Sequence, residues 1–126
     1  MTEEALKILL IEDHPGIART IEAILAAAGH DAVLASNGRI GAGLLADGGF
    51  ATMITDIMMP EQDGLETIRQ FKVQRPDLKV IAISGSDSFG GLDYLPVARQ
   101  FGAVATLRKP FQPLNLIRLL DEHAPA

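Results

Sequence analysis

Apolar positions along this chain follow two periods, and segments of one period alternate with segments of the other. Residues 6–11 form a nearly continuous apolar run, which is typical of a strand covered on both faces of a sheet. From residue 15 to residue 28 the apolar side chains recur every three or four positions, which predicts one buried helix face, and Gly29 then ends the pattern. The first two predicted elements are therefore a strand and an amphipathic helix.

The same alternation predicts four further pairs of strand and helix. Strands are predicted over residues 31–35, 51–55, 80–83 and 103–107, and helices over 38–46, 65–74, 92–101 and 113–122. Strands that alternate with helices in this way predict an α/β domain with a parallel sheet. The helix over 38–46 is expected to be weak, because each glycine inside a helix costs about 1 kcal/mol relative to alanine.

Composition limits the class of protein. The 126 residues are 48% hydrophobic, enough for one buried core, so we expect a single domain over residues 1–126 without an output domain. Sixteen acidic residues against eleven basic ones give a net charge of −5, which predicts no direct binding of nucleic acid. The amino terminus is acidic and no apolar run is long enough to cross a bilayer, so we expect no signal peptide, no membrane insertion and a cytoplasmic location.

Polar residues follow four of the predicted strands. Glu12 and Asp13 follow the first strand, Asp56 ends the third, Ser84 ends the fourth and Lys109 lies just past the fifth. In open α/β sheets the ligand site lies beyond the carboxyl ends of the strands, at the point where the strand order reverses. These five side chains are therefore the candidate functional site.

The candidate site is rich in oxygen ligands. Carboxylates that converge repel one another, and a bound cation relieves the repulsion. The chain has no cysteine and its three histidines are scattered, which argues against zinc and favours Mg²⁺. Asp13 and Asp56 would bind the ion directly and Glu12 would hold a coordinated water. A carboxylate beside Mg²⁺ can attack a phosphoryl donor, and Lys109 and Ser84 can then neutralise and hydrogen-bond the transferred oxygens.

The start of the first helix offers a structural role for two of these residues. Asp is a favoured N-cap, and acids suit the positive end of a helix, so Asp13 is expected to cap the helix that begins near Pro15. His14 is interpreted as a solvated loop residue that tunes partner docking or dephosphorylation.

Taken in order, these motifs resemble the receiver domain of two-component response regulators. The resemblance covers residues 6–120 and rests on four motifs that are weak singly and specific together: Glu12-Asp13, residues 56–60 with Asp63-Gly64, Ser84-Gly85, and Lys109-Pro110-Phe111. It implies a flavodoxin-like, doubly wound sheet of five parallel strands in the order 2-1-3-4-5, with helices on both faces.

The resemblance also implies a role for each residue at the rim. Asp56 would accept a phosphoryl group from a histidine kinase or a histidine phosphotransfer protein. The backbone carbonyl of Met58 would join Asp13 and Asp56 on Mg²⁺, and the Lys109–Pro110 bond would be cis. The phosphodonor would dock near the first helix, and the fourth helix, fifth strand and fifth helix would carry output to a downstream protein.

One position departs from the family pattern. Receiver domains commonly have Tyr or Phe three residues before the lysine, and this chain has Thr106. A small side chain cannot relay a movement of Ser84 by swinging between buried and exposed positions. Switching is therefore expected to run through the loop after Ser84, with Phe89 or Tyr94 as possible substitutes for the aromatic residue.

The leading hypothesis is a phosphorylation-dependent signalling switch or phosphorelay protein with output through protein contact. It would catalyse only its own phosphorylation and autodephosphorylation. One alternative is a receiver-like scaffold that never carries phosphate, which the intact site disfavours and Thr106 keeps open. Another is a Mg²⁺-dependent phosphatase with an aspartate nucleophile, but the haloacid-dehalogenase pattern requires a second Asp where this chain has Met58.

Overall fold

The computed structural model describes residues 6–57, 64–85 and 95–123, apart from the Asp47 side chain. These residues form five strands and five helices in strict alternation. In chain order the elements are β1 (Lys7–Ile11), α1 (Pro15–Ala27), β2 (Asp31–Ala35), α2 (Gly38–Asp47), β3 (Thr52–Asp56), α3 (Gly64–Gln74), β4 (Lys79–Ser84), α4 (Leu95–Phe101), β5 (Ala105–Arg108) and α5 (Pro113–Glu122).

The five strands form one parallel sheet in the order β2-β1-β3-β4-β5, which confirms the predicted fold class. Ile11 near the end of β1 pairs with Ala35 of β2 and with Thr55 of β3. Asp56 pairs with Ile83, and Ser84 pairs with Arg108. The carboxyl ends of the strands therefore lie at one edge, and the strand order reverses at β1, where the rule for open sheets places a ligand site.

Two layers of helices cover the sheet. One hydrophobic cluster packs α1 and α5 against side chains such as Leu10 and Ile54. The other cluster packs α2, α3 and α4 against the strand residues that point to the opposite face of the sheet, such as Leu9 and Met53. Because successive residues of a strand point to opposite faces, a strand covered on both faces is apolar throughout, and this explains the continuous run in β1.

Where the described ends of helices and strands differ from the predicted ends, they differ by one or two residues. Asp56 is the last residue of β3, as predicted for the residue that ends the third strand, and the sheet holds its backbone. Helix α4 is described from Leu95, and its predicted beginning at residue 92 lies outside the described residues. The loop 86–94, including the proposed aromatic substitutes Phe89 and Tyr94, also lies outside them.

The prediction that Asp13 caps the first helix is wrong. The N-cap of α1 is His14, whose Nδ1 accepts the Ile17 N–H at 3.2 Å, and Pro15 fills the first helical position. Pro15 suits that position because its missing N–H would have no partner inside the helix. Asp13 is thereby left exposed at the rim.

Helix α2 forms despite its interior glycines, and Gly41 has a packing role there. A Cβ on Gly41 would lie 2.8 Å from Cδ1 of Ile11 in β1. The glycine thus lets α2 approach the central strand at the end that carries the site. Asn37 offsets part of the destabilisation by the interior glycines, because it caps α2: its Oδ1 accepts the Ile40 N–H at 2.9 Å.

The side chain of Thr52 places a polar hydroxyl group in the interior of the protein. Its hydroxyl oxygen is buried, and no partner within the described residues lies at hydrogen-bond distance. A buried hydroxyl that loses water and gains no bond destabilises the folded state.

We therefore expect Thr52→Val to raise the free energy of unfolding by about 1 kcal/mol, because valine keeps the shape and removes the unpaired oxygen. Urea unfolding at neutral pH measures the change. The matched control is Thr55→Val, which removes a buried hydroxyl that does donate, to the Asp56 carbonyl at 3.2 Å, and should not stabilise. A loss of stability in Thr52→Val would contradict the assignment of Thr52 as unpaired.

Candidate functional site

Three carboxylates converge where the strand order reverses. One oxygen from each of Glu12, Asp13 and Asp56 lies within 4.8 Å of the others. Glu12 follows β1, and its N–H continues the sheet by donating to the Ala35 carbonyl at 3.0 Å. Glu12 and Asp56 are only 4% and 6% exposed, whereas Asp13 faces solvent. The sheet therefore fixes two of the carboxylates, and the third closes the cluster from outside.

Lys109 bridges the two buried carboxylates. Its Nζ lies 2.8 Å from Asp56 Oδ2 and 3.1 Å from Glu12 Oε1. The Lys109 N–H donates to the Ser84 carbonyl at 2.7 Å, and the Lys109–Pro110 bond is cis, as predicted. The end of β4 thus positions the backbone from which the ammonium reaches back to β1 and β3.

The charges of the site shift two pKa values. Burial and, next, the negative charge of Asp56 raise the pKa of Glu12 to about 7, against the opposing effects of Lys109 and the His14 hydrogen bond. Burial alone would lower the pKa of Lys109, but the hydrogen bonds and charges of Asp56 and Glu12 outweigh it and raise that pKa. Lys109 is therefore a permanent cation, and Glu12 is the carboxylate that gains most from additional positive charge.

The carboxylate cluster suits a hard divalent cation. Its donors are carboxylate oxygens, Asp13 is open to water, and Lys109 is bonded to both Glu12 and Asp56. Mg²⁺ prefers such a site, because it takes few protein oxygens and keeps several waters. The predicted carbonyl ligand of Met58 lies outside the described residues, so the described part of the chain supplies the carboxylates alone.

Ser84 and Thr106 mark the β4–β5 side of the site. Ser84 is buried at the end of β4, and its hydroxyl donates to the Gly85 carbonyl at 3.3 Å. That bond is long, which leaves the hydroxyl available for a stronger acceptor. Thr106 lies in β5 beside Ala82 and is partly exposed, at the position where the family pattern has an aromatic ring.

His14 is a contributor that the sequence did not reveal. Its N–H donates to Glu12 Oε2 at 3.2 Å, so the N-cap residue of α1 is bonded to a carboxylate of the site. The only sequence signal is the following Pro15, which marks residue 14 as a possible N-cap. Histidine is not among the favoured N-cap residues, and the signal pointed equally well to Asp13.

An apolar groove runs from the site along α1. It encloses about 680 Å³ and is lined by residues of α1, by the 109–111 segment and by the start of α5. Ile17, Thr20 and Ile24 lie on its α1 wall, and Lys109 and Phe111 lie on the opposite wall. The groove therefore extends from Lys109, which is bonded to the carboxylate cluster, along the surface of α1.

Comparison with known proteins agrees with this geometry. The sequence model of the response regulator receiver domain matches residues 8–121. The receiver protein CpdR of Brucella abortus is 31% identical over 116 residues, which cover 92% of this chain and 94% of that protein. The protein PilG of Pseudomonas aeruginosa is 31% identical over 125 residues, which cover 98% of this chain and 90% of PilG.

Other relatives are much longer. The response regulator FleR of Pseudomonas aeruginosa is 29% identical over 120 residues, or 95% of this chain, but the match covers only 25% of FleR. The chain likewise spans 24% of NtrC of Azospirillum brasilense and 47% of YkoG of Bacillus subtilis.

Solved structures share the fold. The response regulator receiver domain protein of Clostridium thermocellum has a TM-score of 0.85 and 29% identity, with 94% of this chain and 93% of that chain covered. The CheY-like receiver domain protein of Methanospirillum hungatei has a TM-score of 0.83 and 25% identity over the same shares. None of the helices described in the present chain is long and apolar enough to cross a membrane.

The raised pKa of Glu12 predicts that the metal-free protein loses stability as the pH rises from about 5 to about 8. Between pH 4.5 and about 7 the folded state keeps a proton on Glu12 that the unfolded chain has released, so each rise in pH favours unfolding. At about 1.4 kcal/mol for each unit of pKa shift, the loss approaches roughly 3 kcal/mol. Urea unfolding in the presence of a chelator measures it.

The control is Glu12→Gln, which keeps the shape of residue 12 and cannot titrate. The difference in unfolding free energy between the two proteins isolates the contribution of Glu12. A difference that is constant across this pH range would contradict the prediction.

Proposed function

The chain belongs to the receiver domains of two-component response regulators, and on that premise we propose that it accepts a phosphoryl group on Asp56 with Mg²⁺ as cofactor. The phosphodonor would be a histidine kinase or a histidine phosphotransfer protein. The observation that carries the proposal is the ion-paired cluster, in which Lys109 holds Asp56 and Glu12 beside the exposed Asp13.

Asp56 is the nucleophile in this proposal. One of its carboxylate oxygens attacks the phosphorus atom on the donor's imidazole nitrogen, so that one P–N bond breaks and one P–O bond forms. The carboxylate is buried at the end of β3, where the sheet holds its backbone and water has little access to the product. Mg²⁺, when bound, supplies the positive charge that lets an anionic carboxylate approach an anionic phosphoryl group.

Lys109 and Ser84 complete the site around the transferred group. In the described state the Lys109 ammonium is engaged by Asp56 and Glu12. A phosphoryl group on Asp56 presents stronger acceptors at the same place, so we propose that Lys109 transfers its hydrogen bonds to phosphoryl oxygens. The Ser84 hydroxyl, which makes only a long bond to Gly85, would donate to another of these oxygens.

Asp13 and Asp56 would hold the cation, with the carbonyl of Met58 as a third protein ligand and Glu12 binding a coordinated water. The oxygen donors and the exposure of Asp13 support this assignment. Glu12 then has a reason to be buried beside Asp56, because the cation offsets the repulsion that raises its pKa.

The protein is proposed to work as a phosphorylation-dependent switch. CpdR and PilG match this chain over nearly their full lengths, whereas FleR and NtrC are much longer. Phosphorylation would change the affinity for a downstream protein, and the acidic net charge supports protein over nucleic acid as the target. The only reactions catalysed would be phosphorylation and dephosphorylation of Asp56 itself.

We expect Mg²⁺ and acetyl phosphate to add one phosphoryl group to the protein, and we expect Asp56→Asn to abolish the adduct because an amide is not a nucleophile here. Intact mass before and after incubation is the measurement. Asp31→Asn, which alters an exposed carboxylate at the other end of the sheet, is the control and should be phosphorylated normally. Absence of any Mg²⁺-dependent adduct would favour the scaffold, and turnover of diverse phosphate esters would favour the phosphatase.

The groove along α1 is the proposed docking surface for the phosphodonor. It opens at Lys109, and its α1 wall offers the helical surface that a partner helix can cover. Thr20 is exposed on that wall, so a long charged side chain there would obstruct a partner without entering the core.

Thr20→Arg is therefore expected to slow phosphotransfer from a cognate histidine kinase by about tenfold or more, which corresponds to about 1.4 kcal/mol of lost docking energy. Phosphorylation by acetyl phosphate, which needs no docking surface, should be unchanged. Val73→Arg is the matched control, since Val73 is 79% exposed on α3 and lies outside the groove. Equal transfer rates in both variants would place the docking surface elsewhere.

A further inference from the structure

The bond between α1 and the carboxylate cluster gives His14 a second task beyond capping the helix. We propose that His14 is a positioning residue for cation binding, because its side chain fixes the backbone N–H that holds Glu12 in place. The inference deepens the proposed function and depends on it.

Among the described residues, each carboxylate oxygen of Glu12 accepts a hydrogen bond from one donor. Oε1 accepts from Lys109 Nζ at 3.1 Å, and Oε2 accepts from the His14 N–H at 3.2 Å. Glu12 is almost fully buried, so an oxygen that loses its donor is not compensated by water. The orientation of the carboxylate therefore depends on both bonds.

The orientation of the His14 N–H is in turn set by the cap that the His14 side chain forms on α1. His14 has an extended backbone conformation, with φ −91° and ψ 113°, while Pro15 begins the helix. The Nδ1 of His14 accepts the Ile17 N–H, and this closes the first turn over residues 14–17. When the side chain cannot accept that bond, the backbone of residue 14 is no longer held, and its N–H can turn away from Glu12.

A neutral cap has an advantage at this position. Three carboxylates already lie within 4.8 Å of one another, and an Asp at position 14 would add a fourth negative charge beside them. An imidazole that accepts through Nδ1 carries its proton on Nε2 and caps the helix without adding charge. His14 thus connects the helix start to the site and leaves the electrostatics of the cluster unchanged.

The test compares Mg²⁺ affinity in variants that keep or lose the cap, measured by calorimetric titration. Residues that orient metal ligands commonly contribute about tenfold or more to affinity, so His14→Ala is expected to weaken Mg²⁺ binding by about tenfold. His14→Asn, whose side chain can cap, should restore affinity to within about twofold of the original protein.

Asn37→Ala is the matched control for loss of a cap. Asn37 caps α2 by the same kind of bond, to the Ile40 N–H, and no described hydrogen bond joins it to Glu12. The Asn37→Ala variant should lose stability as His14→Ala does, but it should keep the Mg²⁺ affinity of the original protein. Equal affinities in His14→Ala, Asn37→Ala and the original protein would overturn the proposal and reduce His14 to a helix cap.

A double-mutant cycle that combines His14→Ala with Glu12→Ala tests whether His14 affects Mg²⁺ affinity through Glu12. With the acceptor removed, His14→Ala should change Mg²⁺ affinity by less than about twofold, because the coupling vanishes when one partner is absent. If His14→Ala still weakens Mg²⁺ binding by about tenfold in the Glu12→Ala protein, His14 does not act through Glu12 and the proposal is contradicted. If His14→Ala does not fold, His14→Gln, which carries the same amide on a longer side chain, replaces it in the comparison with His14→Asn.

A metal-free measurement separates this inference from the proposed function. In the chelated protein the His14 amide should exchange slowly with solvent, and Glu12→Ala should speed its exchange by about tenfold, corresponding to about 1.4 kcal/mol. Fast exchange of this amide in the original protein would overturn the inference whatever the metal does. Failure of the original protein to bind Mg²⁺ would instead contradict the proposed function and this inference together.

Discussion

The ammonium of Lys109 between two buried carboxylates is the interaction on which the arrangement of the site depends. Glu12 and Asp56 end neighbouring strands of a parallel sheet, so the fold forces them together, and burial deprives them of water. Without a cation between them their repulsion would oppose the pairing of β1 with β3 at that edge. Lys109 supplies this cation from just past β5, which β3 and β4 separate from β1 in the sheet order, and its backbone is bonded to the end of β4.

This arrangement makes the site sensitive to any added charge. A divalent cation beside Asp13 would add positive charge to the cluster and a phosphoryl group on Asp56 would add negative charge, and within the cluster Lys109 is bonded to Asp56 and Glu12. The backbone of Lys109 is bonded to the end of β4 through the Ser84 carbonyl, and Glu12 is bonded to the start of α1 through the His14 N–H. With Thr106 in place of an aromatic residue, these backbone connections offer routes from the site to the surface that need no swinging ring.

Much of the fold could be predicted because it follows from local regularities. The period of apolar residues distinguishes strands from helices, and the alternation of the two types requires a parallel sheet with helices on both faces. Errors were confined to boundaries, where hydrogen bonding of the folded chain decides which residue ends an element. Asp56 ends its strand as expected, whereas the cap of the first helix was assigned to Asp13 and is His14.

For the site, the sequence by itself determined which chemical groups are available and which strand carries each of them. Glu12, Asp13, Asp56, Ser84 and Lys109 were all identified by their places after apolar runs, since the carboxyl ends of parallel strands share one edge. Only the tertiary structure decided how they meet: that Lys109 bonds both Glu12 and Asp56, that Asp13 stays exposed, and that a backbone N–H of α1 holds Glu12. The physical reason is that Lys109 lies far along the chain from Glu12 and Asp56, so its contacts with them depend on the packing of whole elements that no local pattern records. The contact of His14 with Glu12 is local, but it depends on the residue at which α1 begins.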